Sequence, residues 1–287
     1  MTTTKKYPPF MLEKSGKNPF PVVLTSPHSG TFYPDRLFRL TDLKLSDFRR
    51  YEDAVVDRLF SFAPAMGLPL LSAVYGRAWV DLNRYPLELD PTMFSDALPP
   101  QAKTDSLRVL HGFGVIARQL NANKLIYKSS LRFSEEQERL TDVYFPYHSA
   151  LKSLLRRNLE KFGHSVLLDL HSMPMLPSSC LVKGQMPDIV LGTAHGTSCT
   201  REIVDAASNI LQELGFFVTI DLPYSGAYTT IHYGRPKVHS HVMQIEIGRH
   251  LYWNEEQYSP SENFNTLWRK LSVFMDRFLD ALSTLTF

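Results

Sequence analysis

The chain has 287 residues, 44% of them hydrophobic and 21% charged, with a formal net charge of +2. This is the composition of an ordinary globular protein with a substantial core, and the length suits one large α/β domain or two smaller ones. The near-neutral balance and scattered basic residues give no electrostatic ground for a nucleic-acid or anionic-membrane partner. Only Cys180 and Cys199 are present, which argues against a disulfide framework, leaves one bridge open and fits a reducing compartment. The opening stretch MTTTKKYPPFMLEKSG lacks the apolar run of a secretory signal. No run approaches the ~20 apolar residues that span a bilayer. A cytoplasmic location without a membrane partner is the expectation.

In chain order, residues 21–26 predict a buried strand that stops at Pro27-His28-Ser29-Gly30. Residues 47–63 carry amphipathic helical spacing, and 68–74 and 78–82 are strand candidates, the second running into Asn83-Arg84. Residues 135–162 again have helical spacing, with Pro146 interrupting it. The apolar run 164–170 predicts a strand handing directly to His171-Ser172, and 188–192 predicts another. A helix over 201–214 ends at Gly215, with a strand over 216–220 after it. Residues 242–247 form the last strand candidate, with Glu246 inside it, and 262–282 a closing amphipathic helix. Such alternation implies a mostly parallel sheet covered on both faces. Function in such folds gathers at the carboxyl ends of the strands.

The reactive groups at those ends each have a plain structural reading. A lone histidine after a strand, such as His28, more often caps or hydrogen-bonds than ligates. Asp169 alternates with His171 and would share its face of the strand, either orienting the imidazole or holding a loop. Glu246 lies between Ile245 and Ile247. If buried it must be protonated, metal-bound or paired, for example with Arg249. Two histidines, a buried glutamate and an Asn-Arg pair together point to a metal-dependent hydrolase. Catalytic zinc takes about three protein ligands and a water, with a carboxylate as base and an arginine for an anionic substrate. The carboxylate expected shortly after His28 is missing, since Thr31 stands three residues on.

Eight segments carry a resemblance: SPHSG at 26–30, EDAVVDRL at 52–59, WVDLNRYP at 79–86, GFGVIARQ at 112–119, PYHSAL at 146–151, LLDLHSMP at 167–174, DIVLGTAHGTSC at 188–199 and DLPYSGAYTTIHYGRPKVHSHVMQIEIGRHLY at 221–252. In this order, over most of the chain, they resemble the N-formylglutamate amidohydrolase family, distant relatives of the zinc carboxypeptidases and of aspartoacylase. The resemblance implies an α/β fold, a three-layer α/β/α sandwich on a mostly parallel mixed sheet, zinc-exopeptidase-like (phosphorylase/hydrolase-like). It implies one catalytic domain over residues 1–287 that hydrolyses the amide of a small-molecule N-acyl amino acid. For the named family this is N-formyl-L-glutamate, giving formate and glutamate in histidine catabolism.

Carried over residue by residue, the resemblance makes His28 and His171 ligands of a divalent metal, zinc foremost. Because Thr31 replaces the usual glutamate, it passes the carboxylate ligand to Asp53, with Glu52 as the fallback; the plain alternative is that Asp53 charges the first turn of a helix. Glu246 matches the general base, Arg77 the arginine that polarises the scissile carbonyl, and Asn83 with Arg84 the clamp on a substrate carboxylate. Tyr224, Thr229, Thr230 and Tyr233 would donate hydrogen bonds on the substrate side. His241, five residues before Glu246, would orient it or touch substrate. His195 and Cys199 read as structural. Glu88 and Asp90 sit awkwardly close to the anion clamp. An aspartoacylase-like deacylase of another N-acyl amino acid, or a binding protein that lost catalysis on the same fold, are the alternatives. Oligomeric state is not legible.

Overall fold

The computed structural model describes residues 7–285 other than 15, 17, 122 and 123. Residues 1–6, part of the stretch read above for a leader, lie outside the described residues. Short apolar runs form the strands β1 Phe10–Glu13, β2 Val22–Ser26, β3 Leu70–Ala73, β4 Ser165–Met173, β5 Ile189–Gly192, β6 Val218–Ile220 and β7 Ser240–Gly248. They make one seven-stranded sheet in the order β1-β3-β2-β4-β7-β5-β6. Strand β4 runs parallel to β2 and to β7, β5 runs parallel to β6, and β5 meets β7 antiparallel. The sheet is therefore mixed and mostly parallel, as the alternation of elements implied. A small ribbon pairs β8 Trp253–Asn254 with β9 Ser259–Pro260. The helices are α1 Asp35–Leu40, α2 Leu45–Arg49, α3 Val56–Leu59, α4 Leu107–Leu110, α5 Phe133–Arg139, α6 Phe145–Phe162, α7 Arg201–Glu213, α8 Tyr228–Tyr233 and α9 Phe264–Thr284. Among the described residues no helix is long and apolar enough to cross a membrane.

The chain divides into two compact units, the first comprising residues 7–11, 27–52 and 72–152 and the second 12–26, 53–71 and 153–285. The second is built around an apolar core with the periodicities its elements require. Every other residue of β4 and β7 enters it (Val166, Leu168, Leu170; Met243, Ile245, Ile247), and so do helical stripes such as Ile203, Ala207, Ile210 of α7 and Leu267, Leu271, Phe274, Phe278 of α9. In the first unit a buried cation takes a structural part. The Arg139 guanidinium is fully buried over the Trp79 ring at 3.8 Å. It donates to the Trp79 carbonyl at 2.9 Å and the Tyr127 hydroxyl at 2.7 Å, and pairs with Glu136 at 2.5 Å. Pairing of this kind is what makes a buried charge tolerable.

Four local expectations are corrected. The helix read over 47–63 is split into α2 and α3, and Val55 between them has φ 51°, a left-handed conformation foreign to a β-branched residue. The break frees buried Glu52 and Asp53 from a helix face to reach polar partners. Residues 78–82 form a turn rather than a strand, with Trp79 N–H on the Gly76 carbonyl and Asp81 N–H on that of Val115. Strand β4 continues to Met173, so His171 and Ser172 lie within it rather than after it. Pro146 does not break its helix, because a π turn over Leu140–Tyr144 precedes it and widens the backbone where the proline lacks a donor.

Candidate functional site

In the second unit the parallel register sets Asp169 of β4 beside Gln244 of β7, and His171 beside Glu246. A two-residue period places all four on one face, opposite the face that carries Leu168, Leu170, Met243 and Ile245 into the core. Thr25 of β2, in register with Asp169, donates to its Oδ1 at 2.7 Å. The other oxygen, Oδ2, lies 3.1 Å from His171 Nε2, and His171 Nδ1 lies 2.9 Å from Asp53 Oδ2. Burial disfavours the charged imidazole, but Asp169, Asp53 and Glu246 outweigh it and raise the His171 pKa well above the usual histidine value. Arg249 approaches Asp53 at 3.6 Å, Glu255 at 3.6 Å and the Ser172 hydroxyl at 3.0 Å. Glu246 is 8% exposed and accepts a 2.7 Å hydrogen bond from Gln244 Nε2.

The loop after β6 brings Tyr224 toward the same carboxylates. Burial and then the charges of Glu246, Cys180 and Asp53 push its phenol pKa up. Thr229 and Thr230 are buried in α8. A Cβ on Gly226, which has φ +110°, would come within 2.8 Å of the Thr230 side chain, so Thr230 packs against that turn. Cys199 is buried, its thiol pushed up to about 12 by burial, which removes it as a nucleophile. His195 is exposed in a left-handed turn at φ 56°.

His241 requires a correction. Five residues is an odd offset along a strand, so His241 lies on the core face of β7, in register with Val166, and Gln244 takes the part of holding Glu246. Burial, together with His164 and His239, brings the His241 imidazole down to about 4. Its unfolded value is about 6.5. Between those values the unfolded chain binds a proton that the folded chain does not, so stability is complete above pH ~6.5 and falls as the pH drops toward ~4. The expected loss from this residue is about 2 kcal/mol at pH 5. Urea unfolding of His241→Leu at pH 7 and pH 5 checks this: the variant should lose less stability between the two than the parent does.

In the first unit the turn after β2 presents His28. Gly30 lets that turn close on its neighbour, since a Cβ there would lie 2.3 Å from the Tyr75 carbonyl oxygen. His28 Nε2 lies 2.7 Å from Asp81 Oδ1. Asp81 also accepts from Arg77 Nη2 at 2.9 Å and from the Asn83 amide at 2.9 Å, with Arg84 Nη2 at 3.8 Å. Burial alone would raise the Asp81 pKa; Arg84, His28 and Arg77 hold it well below the usual carboxylate range. The Arg77 guanidinium sits over the Tyr51 ring at 4.6 Å. Arg84 donates to the carbonyls of Phe113 and Asn83, each at 2.9 Å. The carboxylates that sat awkwardly by the clamp are engaged: Glu88 accepts from the Ser106 hydroxyl at 2.5 Å, and Asp90 pairs with Arg118 at 2.9 Å. Glu52 pairs with Arg49 at 3.3 Å. The residue sequence reasoning left without a part is Asp81, which stood in plain view before Asn83-Arg84; its only signal was an acid in an otherwise apolar run.

Both histidines show one pattern, in which Nε2 meets an aspartate. A carboxylate behind an imidazole fixes the tautomer and ring orientation that a metal ligand needs, so Nδ1 is the atom each of these rings would offer to a metal ion. Around His171, a ring nitrogen and an Asp53 oxygen already stand side by side, joined by a proton that a metal ion would displace. Two imidazoles and a carboxylate are a donor set suited to zinc.

The sequence profile of the N-formylglutamate amidohydrolase family matches residues 20–253. The N-formylglutamate deformylase of Pseudomonas putida is 27% identical over 268 residues, covering 91% of this chain and 92% of that protein. The Pseudomonas aeruginosa enzyme of the same name is 29% identical over 243 residues, 82% and 83% of the two chains. The crystal structure of N-formylglutamate amidohydrolase from Ralstonia eutropha JMP134 superposes with a TM-score of 0.88 at 32% identity, covering 96% and 98% of the two chains. A gene product of Agrobacterium tumefaciens shares the fold, with a TM-score of 0.68 at 15% identity. The matched profile takes in every site residue from His28 to Glu246, and the chain belongs to the N-formylglutamate amidohydrolase family of amide hydrolases.

Proposed function

We propose that the chain hydrolyses N-formyl-L-glutamate to formate and L-glutamate, with His28, Asp53 and His171 holding a divalent metal, zinc foremost. The observation that carries this reading is that these three residues are buried donors able to hold a metal ion, two of them backed by Asp81 and Asp169. A bound divalent metal supplies a Lewis acid that lowers the barrier to attack by water. Glu246, held by Gln244, accepts a proton from the attacking water and hands it to the amide nitrogen that leaves with glutamate. Arg77, fixed by Asp81 and Tyr51, donates to the formyl oxygen as charge develops there. Asn83 and Arg84 hold the α-carboxylate; Arg84 spends two of its five N–H groups on carbonyls, and its Nη2 lies beside Asp81 at 3.8 Å, which orients the fork. Tyr224 and Thr229 line the substrate side, with Thr230 shaping it. We place this activity in histidine breakdown in the cytoplasm, with residues 1–287 acting as one catalytic domain.

The test is formate release from N-formyl-L-glutamate by zinc-loaded protein, beside N-acetyl-L-glutamate and N-acetyl-L-aspartate. Preference for an acetyl substrate would move the assignment to the other deacylase class. No bound metal and no turnover of any of the three would leave only a binding protein. The carboxylate ligand is tested separately: Asp53→Asn should weaken zinc binding by more than the ~10- to 100-fold typical of residues behind a ligand. Glu52→Gln should leave zinc affinity unchanged, as read by chelator competition.

A further inference from the structure

The segment PYHSAL at 146–151, which carries part of the family likeness, has no place in the mechanism above. It lies at the start of α6, directly after the π turn over Leu140–Tyr144. Its His148, and Tyr144 just before it, both reach the turn that carries Asn83 and Arg84. That turn, residues 79–84, belongs to no strand or helix, and residues 79–83 are buried. Buried irregular backbone has no ladder to satisfy its carbonyls, so they need donors from elsewhere. Three of those donors come from one helical rod. Arg139 at the end of α5 donates to the Trp79 carbonyl at 2.9 Å, His148 Nε2 to that of Leu82 at 2.9 Å, and the Tyr144 hydroxyl to that of Arg84 at 2.6 Å. A carbonyl only accepts, so His148 carries a proton on Nε2. The Tyr144 and His148 rings are buried and pack together with centroids 4.2 Å apart.

The π turn lets these three side chains share a face. An α-helix advances about 100° per residue, so residues five apart, such as Arg139 and Tyr144, would diverge by roughly 140°. A π turn bonds residues five apart and so stacks them, and here the Phe145 amide reaches back to the Leu140 carbonyl. From Tyr144 to His148 the offset is four, the ordinary α spacing. The wider turn therefore aims donors from three successive levels of the rod at one stretch of backbone.

We propose that Tyr144 and His148 are positioning residues for the substrate clamp: by fixing the carbonyls of Leu82 and Arg84 they hold the backbone on both sides of Asn83, and so set where the Asn83 and Arg84 side chains meet a carboxylate. The proposal rests on the functional reading above, in which that pair takes the α-carboxylate. A clamp already held in place gives up little freedom when substrate arrives, which strengthens binding. Releasing one of the two bonds leaves the proton transfers at Glu246 untouched, so the loss falls on KM rather than kcat.

The experiment measures kcat and KM on N-formyl-L-glutamate for zinc-loaded wild type, Y144F, H148L and H148Q. In Y144F and H148L the KM should rise about 3- to 10-fold, the worth of one hydrogen bond, with kcat and zinc affinity at parental values. Glutamine places its amide nitrogen where Nε2 stands, so H148Q should recover most of the affinity that H148L loses. A double-mutant cycle identifies the route: in an R84M background Y144F should add no further rise in KM, because the clamp it serves is gone. A role in packing alone gives another pattern, a lowered melting temperature with KM unchanged in Y144F and H148L, and that result overturns the proposal. If H148L fails to fold, Y144F, which removes only a hydroxyl, carries the comparison. Effects of Y144F and R84M on KM that simply add, with turnover intact, overturn the proposal alone. Failure of the wild type to hydrolyse N-formyl-L-glutamate overturns the functional reading and the proposal with it.

Discussion

Glu246→Gln lowers kcat by about 10²- to 10⁴-fold, the usual worth of a positioned general base, while metal content and melting temperature stay at the parental values. The reasoning is geometric. Glutamine keeps the size of the side chain and an oxygen for the 2.7 Å hydrogen bond from Gln244, so the β4–β7 pairing beside it is undisturbed. What it loses is the ability to accept and return a proton. None of the three proposed ligands changes, so zinc measured by elemental analysis should remain. Because the base acts on the chemical step, the loss should fall on kcat and kcat/KM alike. Full activity in this variant would remove Glu246 from the mechanism; loss of metal along with activity would make it a ligand instead.

Asp81→Asn is the second large effect, and it should act on affinity and stability together. The carboxylate serves His28, Arg77 and the Asn83 amide at once, with Arg84 nearby. An asparagine of the same shape can still accept two of those bonds, but its amide nitrogen then faces an arginine. Zinc affinity should fall about 10- to 100-fold, as for other carboxylates behind a histidine ligand. Breaking a buried charged network should also cost about 3–5 kcal/mol of stability. Chelator competition and urea unfolding read the two separately. An unchanged zinc affinity would mean that Asp81 organises the arginines without orienting His28.

The parts of the site legible in sequence were those with a local pattern. His28 stands just past a short apolar strand that ends in Thr25-Ser26-Pro27, and Asp169 and His171 share strand parity, which puts them on one face. Glu246 was suspicious simply because it is flanked by two isoleucines. Asp81 was missed for a physical reason. A buried carboxylate in a turn is justified only by partners drawn from elsewhere, here Arg77, Asn83 and His28, and no periodicity announces such a gathering. The helix read over 47–63 failed at Val55, a residue whose own preferences give no warning of a left-handed backbone. His241 is different, because its odd spacing from Glu246 was readable and already implied the opposite face. Family likeness supplied the proposed ligand set, while strand parity decides which residues can act together.

The pairing of β4 with β7 has one more consequence, for how the sheet assembles. On these neighbouring strands, Asp169, His171, Gln244 and Glu246 alternate with Leu168, Leu170, Met243 and Ile245. A slip of one residue in either strand would exchange its two faces. It would drive carboxylates and an imidazole into the apolar core without their partners, at several kcal/mol for each unpaired charge. That sum rivals the roughly 5–15 kcal/mol that holds a whole domain folded. The residues to which we assign the chemistry thus also proofread the sheet, since a chain that mispairs these strands would lose the stability that keeps it folded.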